Sequence, residues 1–135
     1  MSLAFHWPVR VYWEDTDAGG VVYYANYLKF MERARSEWLR SFGFEQDVLR
    51  DETGVVFVVR RVEIDYLAPA RFNDQLDVAV SLHEAGRASF VVRQELLRDS
   101  SCLAKAVVTL ACVDAAQFKP VKIPAPILQV LAPAP

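Results

Sequence analysis

From Tyr24 to Phe42 the apolar residues recur at helical spacing. Around the wheel Tyr27, Phe30, Ala34, Trp38, Met31, Phe42, Leu28 and Leu39 fill an arc of about 180°. Lys29, Glu32, Arg33, Ser36, Glu37 and Arg40 take the other side, and Gly43 is placed to stop the helix. A stripe this wide must be buried against something larger than one neighbouring helix. Arg35 interrupts it, projecting between Phe42 and Leu28, and is expected to snorkel outward or to pair with Glu32 three residues back.

What can cover the helix is set by the rest of the chain, which reads as β. Residues 8–14 alternate in character and suggest a first strand. A second helical turn is expected around Gln46–Glu52. Val55–Val59 then runs into Val62, Ile64 and Tyr66, alternating with Arg61, Glu63 and Asp65, a long strand closed by Ala68-Pro69-Ala70. Leu76 to Leu82, Phe90 to Leu97 and Cys102 to Asp114 follow as three strands joined by two hairpin-length loops. The order is β, α, then four antiparallel strands, an α+β arrangement in which the sheet must wrap the single long helix.

At 135 residues this is one domain, 1–135, ending in a Pro-rich tail from about 116, expected to be extended with Ile127 to Leu131 packing locally. Fifteen basic against 17 acidic residues create no field that would draw nucleic acid. No apolar run approaches the roughly 20 residues needed to span a bilayer, and the first residues lack a signal pattern, so the cytoplasm is the expected location. Cys102 and Cys112 fall in one strand, roughly 33 Å apart at about 3.3 Å per residue, too far to bridge within a chain.

The usual catalytic signatures are missing. His6 and His83 are the only histidines, there is no Gly-x-Ser-x-Gly elbow, and the Asp15-Thr16-Asp17 pair lacks the rest of a calcium loop. Phosphate-loop and dinucleotide fingerprints are absent, and no metal or redox cofactor is expected. What remains is Glu14-Asp15-Thr16-Asp17-Ala18-Gly19-Gly20, followed by Val21-Val22-Tyr23-Tyr24. A helix-capping carboxylate belongs immediately before the first turn, but Asp17 lies some seven residues ahead of the helix. The arrangement instead suits a loop carboxylate facing a substrate carbonyl that is polarised by free N–H groups near Tyr24.

The run Arg10-Val11-Tyr12-Trp13-Glu14-Asp15-Thr16-Asp17-Ala18-Gly19-Gly20-Val21-Val22-Tyr23-Tyr24-Ala25-Asn26-Tyr27, continuing into Glu32-Arg33-Ala34-Arg35, resembles the 4-hydroxybenzoyl-CoA thioesterase family. Within it the likeness is to bacterial acyl-CoA thioesterases of the YbgC type, associated with the Tol-Pal system. It extends through Phe57-Val58-Val59-Arg60, Tyr66-Leu67-Ala68-Pro69-Ala70-Arg71 and Cys112-Val113-Asp114.

The resemblance implies the hotdog fold, a curved antiparallel sheet wrapped around one long central helix, in homodimers or homotetramers with active sites at the dimer interface. It implies hydrolysis of an acyl-CoA, or of an acyl group on an acyl carrier protein's phosphopantetheine, with coenzyme A present only as part of the substrate. Asp17 becomes the catalytic carboxylate, as nucleophile or general base, and Tyr24 supplies a backbone oxyanion donor. Many members of the subgroup have histidine where this chain has Tyr24, which spares a backbone role and removes a side-chain acid or base. Of Arg60, Arg61, Arg71, Arg87, Lys119 and Lys122, the expected contacts for the coenzyme's phosphates are Arg60, Lys119 and Lys122. Two other classes fit the same fold. A hydroxyacyl-thioester dehydratase would want a histidine in the loop or the buried helix, where neither His6 nor His83 lies, and a non-catalytic thioester-binding module would not need Asp17.

Overall fold

The computed structural model describes residues 4–131. Five strands, β1 (Phe5–Arg10), β2 (Val55–Tyr66), β3 (Gln75–Ala85), β4 (Ser89–Arg98) and β5 (Ser101–Asp114), form one sheet in the order β1-β3-β4-β5-β2. Every neighbouring pair is antiparallel. The helices are α1 (Asn26–Ser41), α2 (Gln46–Thr53) and α3 (Ala125–Leu131). The β3-β4-β5 meander forms the centre, and the two strands that come first in the chain lie at the edges.

Register shifts interrupt the ladders between Val59 and Arg61, between Leu82 and Glu84, and between Leu96 and Leu97. Such irregularities bend a strand and increase its twist. The curved sheet closes on α1, which packs against β3, β1 and β4. This is the hotdog arrangement, as expected.

Tyr27, Phe30, Met31, Ala34 and Trp38 of α1 are buried at i, i+3 and i+4 spacing, and Phe30, Met31 and Ala34 are fully enclosed. The covered face is narrower than the wheel suggests, because Leu28 and Phe42 remain 37% and 41% exposed. One chain's sheet reaches only part of the stripe. Gly43 ends the helix at φ +92, with its N–H on the Arg40 carbonyl (2.9 Å) and that of Phe44 on the Leu39 carbonyl (3.2 Å). Those two bonds form a Schellman motif, which requires a left-handed residue at this place.

Three expectations need correction. The first strand covers Phe5–Arg10 instead of 8–14, and Trp13–Asp15 forms a 3-10 turn. The Asp15 carboxylate captures the Tyr12 N–H at 2.8 Å, and Thr16 Oγ1 donates to the Trp13 carbonyl at 2.8 Å. Short polar side chains thus offer the backbone local partners in place of a sheet ladder. The tail packs locally at Ile127 and Leu131 as expected, but residues 125–131 do so as a short helix and not in an extended form. Pro126 sits in the first turn of α3, where a missing N–H does no harm, and Ile127 and Leu131 are buried. Arg35 neither snorkels nor pairs with Glu32: its Nη1 donates to Gln94 Oε1 at 3.0 Å, and Gln94 Nε2 donates to the Met31 carbonyl at 2.9 Å. Gln94, only 1% exposed, gives the guanidinium an acceptor inside the protein that the helical pattern could not reveal.

Cys102 and Cys112 are free thiols toward opposite ends of β5. No helix among the described residues is long and apolar enough to cross a membrane. Because Phe30 is fully buried where α1 meets the sheet, Phe30→Ala is expected to lower stability by about 3–5 kcal/mol. A drop in the urea midpoint at constant m-value would show it, and an unchanged midpoint would place the centre of the core elsewhere.

Candidate active site

Asp17 opens a tight turn. The Gly20 N–H donates to the Asp17 carbonyl at 3.0 Å, and the Asp17 N–H donates to the Val21 carbonyl at 2.9 Å. The Gly19 N–H donates to Asp17 Oδ1 at 2.8 Å, an Asx turn, and Gly20 takes φ +81. With Thr16 bridged to Val22, residues 16–22 make a miniature hairpin that presents the Asp17 side chain to solvent. Asp17 Oδ2 makes no hydrogen bond among the described residues.

This hairpin is tied to the loop after β2. The Val22 N–H donates to the Ala70 carbonyl at 2.8 Å, and Val21 bridges Arg71. The Tyr27 hydroxyl, from the first turn of α1, accepts the Ala70 N–H at 2.9 Å and donates to the Ala68 carbonyl at 3.4 Å. Asp74 closes the same loop. Although burial alone would raise its carboxyl, the Arg71 N–H at 2.9 Å and the Arg98 guanidinium at 2.8 Å hold it below the usual carboxylate range. The Asp15 carbonyl adds a third tie, accepting both the Tyr23 N–H (3.0 Å) and Asn26 Nδ2 (2.9 Å).

The helix begins two residues later than the sequence suggests, with Ala25 at its N-cap and Tyr24 just before it. Among the described residues, neither the Tyr24 nor the Ala25 N–H donates an intramolecular hydrogen bond. Asn26 and Tyr27 instead donate to the Tyr23 and Tyr24 carbonyls, at 2.8 and 3.4 Å. The Tyr66 hydroxyl donates to the Tyr24 carbonyl at 3.1 Å, which orients this turn. Burial, with smaller contributions from Tyr24 and Tyr27, pushes the Tyr66 phenol upward, so it remains a donor at neutral pH. A groove of about 310 Å3 runs past Val22, Tyr24, Tyr27, Tyr66, Leu67 and Pro69. Asp17 is not among its lining residues.

The expected phosphate contacts lie elsewhere in the chain. Arg60 is exposed on β2 at the Val59/Arg61 irregularity. Lys119 and Lys122 are exposed on the segment that returns along the end of β5, where the Asp114 N–H donates to the Lys119 carbonyl at 2.9 Å. Asp114 pairs with Val55, at the opposite end of β2 from Tyr66. Eleven residues of strand, roughly 35 Å, therefore separate the two lysines' end of the sheet from the Tyr24 end. A single chain brings Asp17 and Tyr24 into one hairpin-and-helix unit and leaves the lysines remote from it. Tyr27 and Tyr66 escape sequence reasoning as functional residues, because a helix or strand pattern counts a tyrosine only as apolar.

Residues 11–131, which include the hairpin, the helix and both lysines, match the family model described as the thioesterase-like superfamily. The chain belongs to the thioesterase-like superfamily. Among its relatives in this superfamily is the acyl-CoA thioesterase YbgC of Haemophilus influenzae, 48% identical over 120 residues, covering 89% of this chain and 88% of that one. The acyl-CoA thioester hydrolase YbgC of Escherichia coli is 46% identical over 121 residues, covering 89% and 90%. Among solved structures, a probable thioesterase from Bartonella henselae superposes with a TM-score of 0.85 at 36% identity, covering 90% of this chain and 99% of its own.

Removing the Tyr27 hydroxyl leaves the Ala70 N–H without its acceptor. Tyr27→Phe is expected to cost about 1–3 kcal/mol and to speed amide exchange at Ala70 and Val22 selectively. Exchange that rose equally throughout the sheet would contradict this local role.

Proposed function

We propose that the protein hydrolyses the thioester of an acyl-CoA to a free acid and a thiol, with Asp17 as the catalytic carboxylate. The observation that carries this reading is a solvent-facing carboxylate on the hairpin that leads, within the same stretch of chain, into unengaged N–H groups at the start of α1. Those donors, with the partial positive charge of the helix end behind them, suit the oxyanion that develops on a thioester carbonyl. Asp17 either attacks the carbonyl carbon, giving an anhydride that water opens, or removes a proton from the attacking water. In both routes the thiol leaves as the carbon–sulfur bond breaks, and one water is consumed as the Asp17 carboxylate is regenerated. The same thioester on a carrier protein's phosphopantetheine offers the site the same chemistry. The relatives' acyl-CoA thioesterase names support the reading, and two free cysteines suit a reducing cytoplasm.

The working unit is a homodimer. β2 is bonded to β5 on one side only, is 12 residues long, and leaves Val59 and Tyr66 46% and 42% exposed, an edge that would otherwise invite uncontrolled pairing. Antiparallel pairing of β2 with its copy, about a two-fold axis near mid-strand, sets the Val55 end of one chain beside the Tyr66 end of the other. Glu63, bonded to Arg61 within the chain, supplies counter-charge where the two strands meet. Lys119 and Lys122 of the partner then approach the Tyr24 groove, which reconciles their remoteness within one chain with a role at the coenzyme's phosphates. Light scattering at micromolar concentration should give at least a dimer mass, and a monomer would refute the arrangement.

Asp17→Asn is expected to retain fold and acyl-CoA binding while losing most of the hydrolysis rate, since the amide is neither a competent nucleophile nor a base. Tyr24→Phe keeps the backbone donor and should change the rate only modestly. Tyr24→Pro removes that donor and should lower turnover by about 10²–10³, with a circular-dichroism melt as the control for folding. An active, folded Tyr24→Pro beside an inactive Tyr24→Phe would make the phenol the working group.

A further inference from the structure

The start of α1 carries two free donors, and different groups hold them in place. Neither the Tyr24 nor the Ala25 N–H donates an intramolecular hydrogen bond among the described residues. A trans peptide unit is planar, so its N–H points opposite to its own carbonyl, and whatever holds the carbonyl also sets the direction of the N–H. The Tyr24 N–H shares its unit with the Tyr23 carbonyl, which accepts the Asn26 N–H at 2.8 Å. The backbone alone aims that donor.

The Ala25 N–H shares its unit with the Tyr24 carbonyl, where the backbone grips less closely. The Tyr27 N–H reaches that carbonyl only at 3.4 Å, and the Tyr66 hydroxyl comes nearer, at 3.1 Å. Ala25 has helical dihedrals (φ −69, ψ −21), which align its N–H with the helix axis and with the partial positive charge of the helix end. A donor bonded to a carbonyl also polarises the peptide and strengthens the N–H on its other side. The phenol is itself fixed by packing, at the last position of β2, 5.2 Å from the Tyr27 ring and edge to face with Tyr24 at 6.0 Å. Tyr24 and Tyr66 line the same groove, so this bond lies where a substrate would pass.

We propose that Tyr66 is a positioning residue for hydrolysis: by holding the Tyr24 carbonyl, its hydroxyl aims the Ala25 N–H as a second oxyanion donor beside the Tyr24 N–H. The inference rests on the reading of this turn as the place of the thioester carbonyl. It adds to that reading a side chain on a different element, β2, which touches no reacting atom and acts through one peptide unit.

Tyr66→Phe keeps the ring and loses only the hydroxyl. On whichever of acetyl-CoA, hexanoyl-CoA, palmitoyl-CoA and benzoyl-CoA the unaltered protein hydrolyses fastest, its kcat should fall about tenfold while KM changes by less than about twofold, because the donor acts on charge that develops in the transition state. Without substrate, the Ala25 amide nitrogen resonance should move, since it reports the bond to the carbonyl before it, while that of Ala34 in mid-helix stays. Replacing Ala25 by lactic acid puts an ester oxygen where the N–H was, and in that background Tyr66→Phe should lower kcat no further. A merely structural role would lower kcat equally in both backgrounds. Parent kcat in Tyr66→Phe, an unmoved Ala25 resonance, or equal losses in the two backgrounds would overturn the proposal. The underlying reading fails by a different result: hydrolysis by Asp17→Asn at the parent rate, or none by the unaltered protein on any of the four thioesters, removes the site itself and the proposal with it.

Discussion

The phenol of Tyr27 joins the parts on which the site depends. It belongs to the buried stripe of α1, and its hydroxyl straddles Pro69 by bonding the Ala68 carbonyl and the Ala70 N–H. Ala70 in turn accepts the Val22 N–H, the last rung of the hairpin that carries Asp17. One side chain therefore couples the start of the helix, the loop after β2 and the hairpin. The placement of the Asp17 hairpin relative to the start of α1 thus rests on contacts that also belong to the core. The hairpin that carries this carboxylate is supported by rigid elements of the fold, α1 and the loop after β2.

Farther along α1, Gln94 does for the middle of the helix what Tyr27 does for its start. Its amide bonds both the Met31 carbonyl and Arg35, so the helix is pinned to β4 by polar contacts inside an otherwise apolar layer. Buried polar contacts of this kind fix register more than they add stability, because each group also loses its water. The three register shifts bend the sheet around the helix, but a single sheet still leaves Leu28 and Phe42 partly uncovered. The open β2 edge and the incompletely covered helix are surfaces that the proposed homodimer would bury.

Much of this architecture can be read from the sequence where a period is long and uninterrupted. The 27-30-31-34-38 spacing gives α1, and alternation from Leu76 to Asp114 gives the meander. The errors fall where local chemistry overrides pattern: Asp15 and Thr16 capture backbone groups after β1, and Pro126 is harmless at the start of α3. The Asp17 turn is legible because a carboxylate followed by two glycines favours a tight bend over either helix or strand. The roles of Tyr27 and Tyr66 are not, since a hydroxyl's partner depends on which loop folds over it. Nor does the sequence tell that Lys119 and Tyr24 lie at opposite ends of β2, which follows only from the β2-β5 register.

The central claim is that a thioester carbonyl lies between the Asp17 carboxylate and the N–H groups at the start of α1. A crystal structure of Asp17→Asn with an acyl-CoA analogue in which methylene replaces the thioester sulfur measures this directly. The account predicts the analogue's carbonyl oxygen within hydrogen-bonding distance of the Tyr24 N–H, its carbonyl carbon facing residue 17, and the partner's Lys119 and Lys122 near the phosphates. A carbonyl bound away from the Tyr24 N–H, with residue 17 out of reach, would contradict it.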